Sequence, residues 1–77
     1  MKQILIVDDS ETSILYLKMM LPDYKLSIAL SGKEMWERLS ESNPSLIRMD
    51  VMLPDVNGYE LVKQLSKTEK YKDIPII

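Results

Sequence analysis

Apolar residues in this chain form three short runs, and each run is followed by a stretch with the spacing of an amphipathic helix. The runs occupy residues 2–7, 25–30 and 45–50. In the stretches that follow, apolar residues recur every three or four positions, which places them on one face of a helix. We therefore expect three strands that alternate with three helices, the helices over residues 10–21, 32–41 and 57–67.

Polar residues mark where each helix should begin. Ser31 and Glu34 have the spacing of a capping box, in which the serine accepts a hydrogen bond from the backbone three residues on and the glutamate reaches back. Pro22 should end the first helix. The expected capping residues are, in chain order, Asp9 or Ser10, then Ser31, then Asn57.

Each predicted helix has an apolar face that we expect to pack on the sheet. These faces comprise Ile14, Leu15, Leu17, Met19 and Leu21 in the first helix, Met35, Trp36 and Leu39 in the second, and Leu61, Val62 and Leu65 in the third.

The first strand should lie inside a parallel sheet. Residues 4–7 are continuously apolar, as in a strand buried on both faces, whereas residues 25–30 alternate at first, as in an edge strand. Residues 73–77 resemble the opening of a fourth strand. Alternating strands and helices with right-handed crossovers predict one α/β domain, a parallel sheet with helices on both faces and the first strand beside the third.

Composition narrows the kinds of partner and site. Ten basic and 12 acidic residues give a net charge of −2, and no basic cluster suggests nucleic acid as a partner. Because the chain has no Cys and no His, any metal must be held by oxygen. No apolar run is long enough for a signal peptide or a membrane span, so we expect a cytoplasmic protein without a membrane partner.

Acidic residues follow two of the predicted strands. Asp8 and Asp9 come directly after the first strand, and Asp50 ends the third. In an open parallel sheet, the site lies at the carboxyl ends of the strands where the strand order reverses, so these three carboxylates should converge. Taken alone, the acidic pair could be a helix cap and Asp50 a turn residue. Three together are costly unless a cation neutralises them or one takes up a proton, and a set of hard oxygen donors favours Mg²⁺ over zinc.

In this arrangement the chain resembles the receiver domain of bacterial two-component response regulators. The resemblance implies a three-layer, flavodoxin-like α/β fold with strand order 2-1-3-4, in which residues 1–77 form a truncated receiver domain. The fourth strand would be only begun, and the following helix, fifth strand and last helix would be absent. The matching segments span nearly the whole chain and comprise residues 4–10, 29–32, 49–60 and 73–77.

The resemblance implies a phosphorylation switch rather than an enzyme. Asp50 matches the phosphoacceptor, which receives its phosphoryl group from a sensor histidine kinase or a phosphotransfer protein. Asp9, Asp50 and the backbone carbonyl of Met52 match the direct Mg²⁺ ligands, and Asp8 matches a ligand that acts through water. Gly58 would provide a backbone geometry that other residues resist.

Three departures from the family pattern stand out. The Thr or Ser and the Lys that contact the phosphoryl group in the family would lie beyond Ile77. Asn57 replaces a frequent Asp. Arg48 replaces a usually apolar residue, and an arginine within a strand covered on both faces must find a partner or reach solvent.

Two other functions remain open. The chain could be a phosphorylation-incompetent half-domain that self-associates, since an unfinished sheet edge favours pairing, and we expect at least a homodimer. A metal-dependent phosphohydrolase with an aspartyl nucleophile is the weaker alternative. Asp8-Asp9-Ser10 lacks the Asp-x-Asp pattern of haloacid dehalogenase-like enzymes.

Overall fold

Three parallel strands form the centre of the protein in a computed structural model, which describes residues 2–77. The strands are β1 (Gln3–Val7), β2 (Lys25–Ala29) and β3 (Leu46–Met49), in the order β2-β1-β3. Gln3 pairs with Lys25 of β2, and Ile4 pairs with Leu46 of β3. This order confirms that β1 is central, that β2 is an edge strand and that β1 lies beside β3.

Helices α1 (Glu11–Met20), α2 (Gly32–Glu41) and α3 (Gly58–Ser66) alternate with the strands. Their bounds agree with the sequence-based ones to within one residue. The capping residues are Ser10, Ser31 and Asn57, each accepting a hydrogen bond from a backbone N–H of its own helix. Ser10 rather than Asp9 therefore caps α1. Glu34 reaches back as expected, although it accepts from the N–H of Leu30 (3.0 Å) and not from that of Ser31.

Residues of β1 contribute alternately to two hydrophobic clusters. Leu5 and Val7 face the cluster that contains the buried residues of α2 and α3, whereas Ile4 and Ile6 pack with Ile14 of α1. The four residues are buried, so β1 is covered on both faces as its apolar run predicts. The chain thus has three layers, with α1 on one face of the sheet and α2 with α3 on the other.

The apolar face predicted for α1 is too wide. Ile14 is buried and Leu17 and Leu21 pack against the same cluster, but Leu15 is 59% exposed and Met19 is 72% exposed. The prediction that these two residues face the sheet is therefore wrong. Because α1 is apolar nearly all round, periodicity alone cannot select its buried side. In α2 and α3 the predicted faces are confirmed, with Trp36 and Val62 only partly buried.

Residues 75–77 run parallel to β3 on the side away from β1. The N–H of Ile47 donates to the carbonyl of Pro75 (3.0 Å), and the N–H of Met49 donates to the carbonyl of Ile77 (2.8 Å). The N–H of Ile77 donates in turn to the carbonyl of Ile47 (3.0 Å). This pairing places the beginning of a fourth strand where the order 2-1-3-4 requires it.

Arg48 lies on the face of the sheet that α1 covers. It lines a cavity of about 510 Å³ together with apolar residues that include Leu17, Met20 and Leu46. Between residues 2 and 77, no buried side-chain nitrogen lacks a hydrogen-bond partner, and the one ion pair joins Lys72 to Glu69. The guanidinium of Arg48 therefore reaches solvent, which is one of the two outcomes expected for it.

Within the same described part of the chain, each helix falls short of the length and apolarity needed to cross a membrane.

Candidate functional site

The carboxyl ends of β1 and β3 bring the predicted acidic residues together. Beyond the last paired residues of the two strands, the N–H of Asp50 donates to the carbonyl of Val7 (2.9 Å). On the other side of β1, the N–H of Asp8 donates to the carbonyl of Ala29 (3.0 Å). These backbone hydrogen bonds fix the backbone positions of Asp8 and Asp50. The placement of both residues therefore follows from the strand order.

Asp8, Asp9 and Asp50 form one cluster. Each contributes a carboxylate oxygen, and these oxygens all lie within 4.8 Å of one another. Asp8 is 4% exposed, Asp50 is half-buried and Asp9 is exposed, so the cluster opens to solvent on one side. One oxygen of Asp8, Oδ1, accepts a hydrogen bond from the N–H of Ser10 (2.9 Å), which holds that carboxylate at the start of α1. The convergence predicted from the sequence is thus present.

The donor set suits a hard divalent cation. Three carboxylates at this separation repel one another, and a bound cation would offset both that repulsion and the partial burial of two members. Oxygen ligands without nitrogen or sulfur are those preferred by Mg²⁺, Ca²⁺ and Mn²⁺. An opening on the solvent side, next to Asp9, leaves room for water or for an anionic group.

The loop that follows Asp50 folds back on itself. The N–H of Gly58 donates to the carbonyl of Val51 (2.6 Å), and Met52 pairs with Asn57 as an antiparallel bridge. A Cβ atom placed on Gly58 would overlap the backbone carbonyl oxygen of Asp50. The backbone of Gly58 has no positive φ, so the expectation of an unusual backbone geometry at this residue is wrong. Glycine is needed there for close approach instead.

Two other predicted loop residues have distinct positions. Met52 has an 81% exposed side chain, and its carbonyl belongs to the same folded loop as Asp50; its role as a metal ligand stays a prediction. Asn57 caps α3 by accepting a hydrogen bond from the N–H of Tyr59 (2.8 Å). Asn57, which stands where the family frequently has Asp, therefore still provides a side-chain oxygen that caps the helix.

Asp55 makes a contact that its sequence environment does not reveal. Its Oδ1 accepts a hydrogen bond from the N–H of Gly32 (2.8 Å), and its Oδ2 accepts one from the N–H of Lys33 (3.0 Å). The loop after Asp50 is thereby joined to the N-terminus of α2. Because these partners lie more than twenty residues earlier in the chain, no local motif points to the contact.

Hydrogen bonds from the backbone N–H groups of Gly32 and then Lys33 lower the pKa of the Asp55 carboxyl below its usual range. The charged form is favoured because both donors are backbone amides at the positive end of a helix. A carboxyl with a lowered folded-state pKa stabilises the fold at neutral pH, and that contribution is lost as the pH falls through the lowered pKa.

Comparison with known proteins identifies the family. A model described as "Response regulator receiver domain" matches residues 4–77. The polar-differentiation response regulator DivK of Brucella ovis is 33% identical over 78 residues, which cover 99% of this chain and 63% of DivK.

Solved structures agree with this match. The signal receiver domain of a signal transduction histidine kinase from Syntrophus aciditrophicus superposes with a TM-score of 0.92 at 35% identity, covering 99% of this chain and 59% of that one. The Mn(2+)-bound form of the response regulator Rcp1 superposes with a TM-score of 0.89 at 26% identity, covering 99% and 63%. The chain thus spans about three-fifths of the length of these relatives. A match to the receiver model over nearly every residue, together with the shared strand order, shows that the chain belongs to the response regulator receiver family of two-component signalling.

Proposed function

We propose that this chain accepts a phosphoryl group on Asp50 from the phosphohistidine of a sensor histidine kinase or phosphotransfer protein. The convergence of Asp8, Asp9 and Asp50 within 4.8 Å is the observation that carries this proposal. Membership of the receiver family supports it, as does the Mn(2+)-bound form of the relative Rcp1. In this proposal residues 1–77 form the first part of a receiver domain, which acts as a signalling module rather than an enzyme.

The transfer requires one nucleophile from this chain. A carboxylate oxygen of Asp50 attacks phosphorus, a P–O bond forms, and the P–N bond of the phosphohistidine breaks. The bonding pair stays on the imidazole nitrogen of the donor. Half-burial of Asp50 at the open side of the cluster lets a phosphoryl group approach while its backbone remains hydrogen-bonded to β1.

The residues that would hold a cation come from both strand ends. Asp9, Asp50 and the carbonyl of Met52 would bind Mg²⁺ directly, and Asp8 would bind it through water. When bound, the cation screens the attack of a carboxylate on an anionic phosphoryl group and neutralises developing charge. Ser10 fixes the orientation of Asp8 through the hydrogen bond to Oδ1.

An Asp50→Asn chain is expected to lose phosphoryl uptake completely, because an amide oxygen is a far weaker nucleophile than a carboxylate. Incubation with acetyl phosphate and Mg²⁺, followed by intact-mass measurement, should show one added phosphoryl group on the unsubstituted chain and none on the variant. The matched control is Asp23→Asn, which makes the same change at an exposed position after α1. Uptake by Asp50→Asn, or uptake that persists after removal of all divalent cations, contradicts the proposal.

Self-association is a second candidate function, favoured by the apolar surface on the α1 side. Leu15, Tyr16, Met19 and Met20 are all more than half exposed, and Met20 also lines the cavity beside Arg48. Exposed apolar surface of this kind favours association of two copies. We propose a homodimer that buries the α1 side of each copy.

A Met20→Glu chain is expected to sediment as a monomer at concentrations where the unsubstituted chain sediments as a dimer. The reason is that a carboxylate would have to be buried in the interface. Ser40→Glu is the control, because it adds the same charge to an exposed position of α2 on the opposite face of the sheet. A folded, monomeric unsubstituted chain at all concentrations would rule out the dimer.

A further inference from the structure

We propose that Asp55 is a positioning residue that couples the cation site at Asp50 to the first turn of α2. Its carboxylate joins the loop after Asp50 to the helix, so that cation binding and ordering of that turn strengthen each other. The inference rests on the proposed function, because it assigns a further residue to the same site.

The first turn of α2 depends on Asp55 for two of the amides that have no partner inside the helix. A helix leaves its first N–H groups without such partners. Here the N–H of Met35 makes the first bond within the helix, to the Ser31 carbonyl (3.0 Å), and the N–H of Glu34 donates to Ser31 Oγ (3.1 Å). The amides of Gly32 and Lys33 both donate to Asp55, one to each carboxylate oxygen. Loss of this carboxylate would leave two amides to water.

Steric fit holds the loop at this point. Gly32 is buried, and a Cβ atom placed on it would lie 2.5 Å from Val56 Cγ1 and 3.4 Å from both carboxylate oxygens of Asp55. Side chains of the loop are therefore in direct contact with the helix. With Met35 and Leu39 at 0% and 1% exposure, α2 is anchored in the core and offers the loop a rigid support.

The other end of the loop is fixed to the cation site. The hydrogen bond from Gly58 to Val51 and the bridge between Met52 and Asn57 close the segment that carries Asp55 at its tip. Met52, whose carbonyl is a proposed ligand, is one of the two residues of the bridge that closes this segment. Movement of Asp55 away from α2 would therefore disturb the ligand on the same short loop.

The contact between Asp55 and α2 and the binding of a cation should each affect the free energy of the other. A ligand set held in place before binding loses less conformational freedom when a cation binds, which raises affinity. Coupling free energies are reciprocal, so if the contact of Asp55 favours cation binding, cation binding must favour the contact to the same extent.

An Asp55→Asn chain is expected to bind Mg²⁺ about tenfold more weakly, which is the low end of the loss that follows replacement of residues that orient metal ligands. The asparagine keeps one acceptor oxygen but loses the second acceptor and the charge. Mg²⁺ titration followed by NMR chemical shifts of Asp8, Asp9 and Asp50 gives the affinity. Asp23→Asn removes the same charge from an exposed position and should bind as the unsubstituted chain does.

Amide hydrogen exchange in the unsubstituted chain provides a second measurement that needs no variant. Saturating Mg²⁺ should slow exchange at the amides of Gly32 and Lys33 by a factor similar to the affinity loss in Asp55→Asn. A purely structural cap would leave this exchange unaffected by Mg²⁺.

Three results are decisive. Equal Mg²⁺ affinity in folded Asp55→Asn and unsubstituted chains overturns the coupling while the cation site stands. Exchange at Gly32 and Lys33 that does not respond to saturating Mg²⁺ also overturns it. An unsubstituted chain that binds no Mg²⁺ overturns the cation site of the proposed function together with the coupling, so the two failures can be told apart.

Discussion

A Gly58→Ala chain is expected to unfold at a markedly lower urea concentration and to lose Mg²⁺ affinity. The added Cβ would overlap the carbonyl oxygen of Asp50 and would lie 3.0 Å from the carbonyl carbon of Asp50 and from the Cα of Val51. All three are backbone atoms, so no side-chain rotation relieves the contact. Overpacking of this kind costs about 1–3 kcal/mol and sometimes more. Two of the three atoms belong to Asp50, the proposed phosphoacceptor.

Gly32→Ala is the matched control for this substitution. Both glycines are the first residue of a helix, so both variants gain the same helix propensity on replacement by alanine. The Cβ at Gly32 would lie 2.5 Å from Val56 Cγ1, so this variant also requires a shift, but of a side chain rather than of backbone. Urea denaturation followed by the fluorescence of Trp36, the single tryptophan, should show the larger loss for Gly58→Ala. Equal losses would contradict the close approach at Asp50.

A Leu39→Ala chain is expected to lose about 2–5 kcal/mol of stability, the usual cost of deleting a fully buried leucine side chain. Leu39 is 1% exposed and belongs to the cluster between α2, α3 and the sheet. Chains of this length have a total stability of about 4–12 kcal/mol, so this one substitution removes a large part of it. Much of the variant should be unfolded at elevated temperature.

Leu15→Ala makes the same chemical change on a helix of the same length. Leu15 is 59% exposed on α1, and a surface substitution of this kind should change the unfolding free energy of the monomer by less than about 0.5 kcal/mol. Thermal and urea denaturation of the two variants, side by side, measure how differently the two leucines are buried.

A loss of stability at Leu15 as large as that at Leu39 would contradict the observed orientation of α1, or would indicate burial of Leu15 against a second copy. Repeating the measurement over a range of protein concentrations separates these two explanations, since only the second depends on concentration.

Most of the fold was predictable because its signals are local. Continuous apolar residues in β1, the alternation at the start of β2, and the caps Ser31 and Asn57 each act within a few residues of the element they define. Strand order followed from the handedness of crossovers, and the meeting of Asp8, Asp9 and Asp50 followed from strand order.

The features that were not predictable depend on contacts between distant segments. Leu15 and Met19 are as apolar as the residues of α1 that face the sheet, so only the packed structure reveals which side is buried. Asp55 contacts amides that belong to another helix, and the need for glycine at residue 58 arises from the return of the loop to Asp50. Local propensity depends on neighbouring residues and therefore cannot predict contacts between segments that are far apart in the sequence.

The central position of β1 has a consequence for how the chain reaches its native state. β1 leaves the ribosome before both of its partners, because β2 and β3 are each synthesised later, after an intervening helix. Until β2 and β3 arrive, the most apolar strand of the protein has two unpaired edges, which is the condition under which nascent chains aggregate. Pairings that must close long loops form slowly, so the speed of translation through α2 and β3 should govern how long this strand remains vulnerable to misassembly.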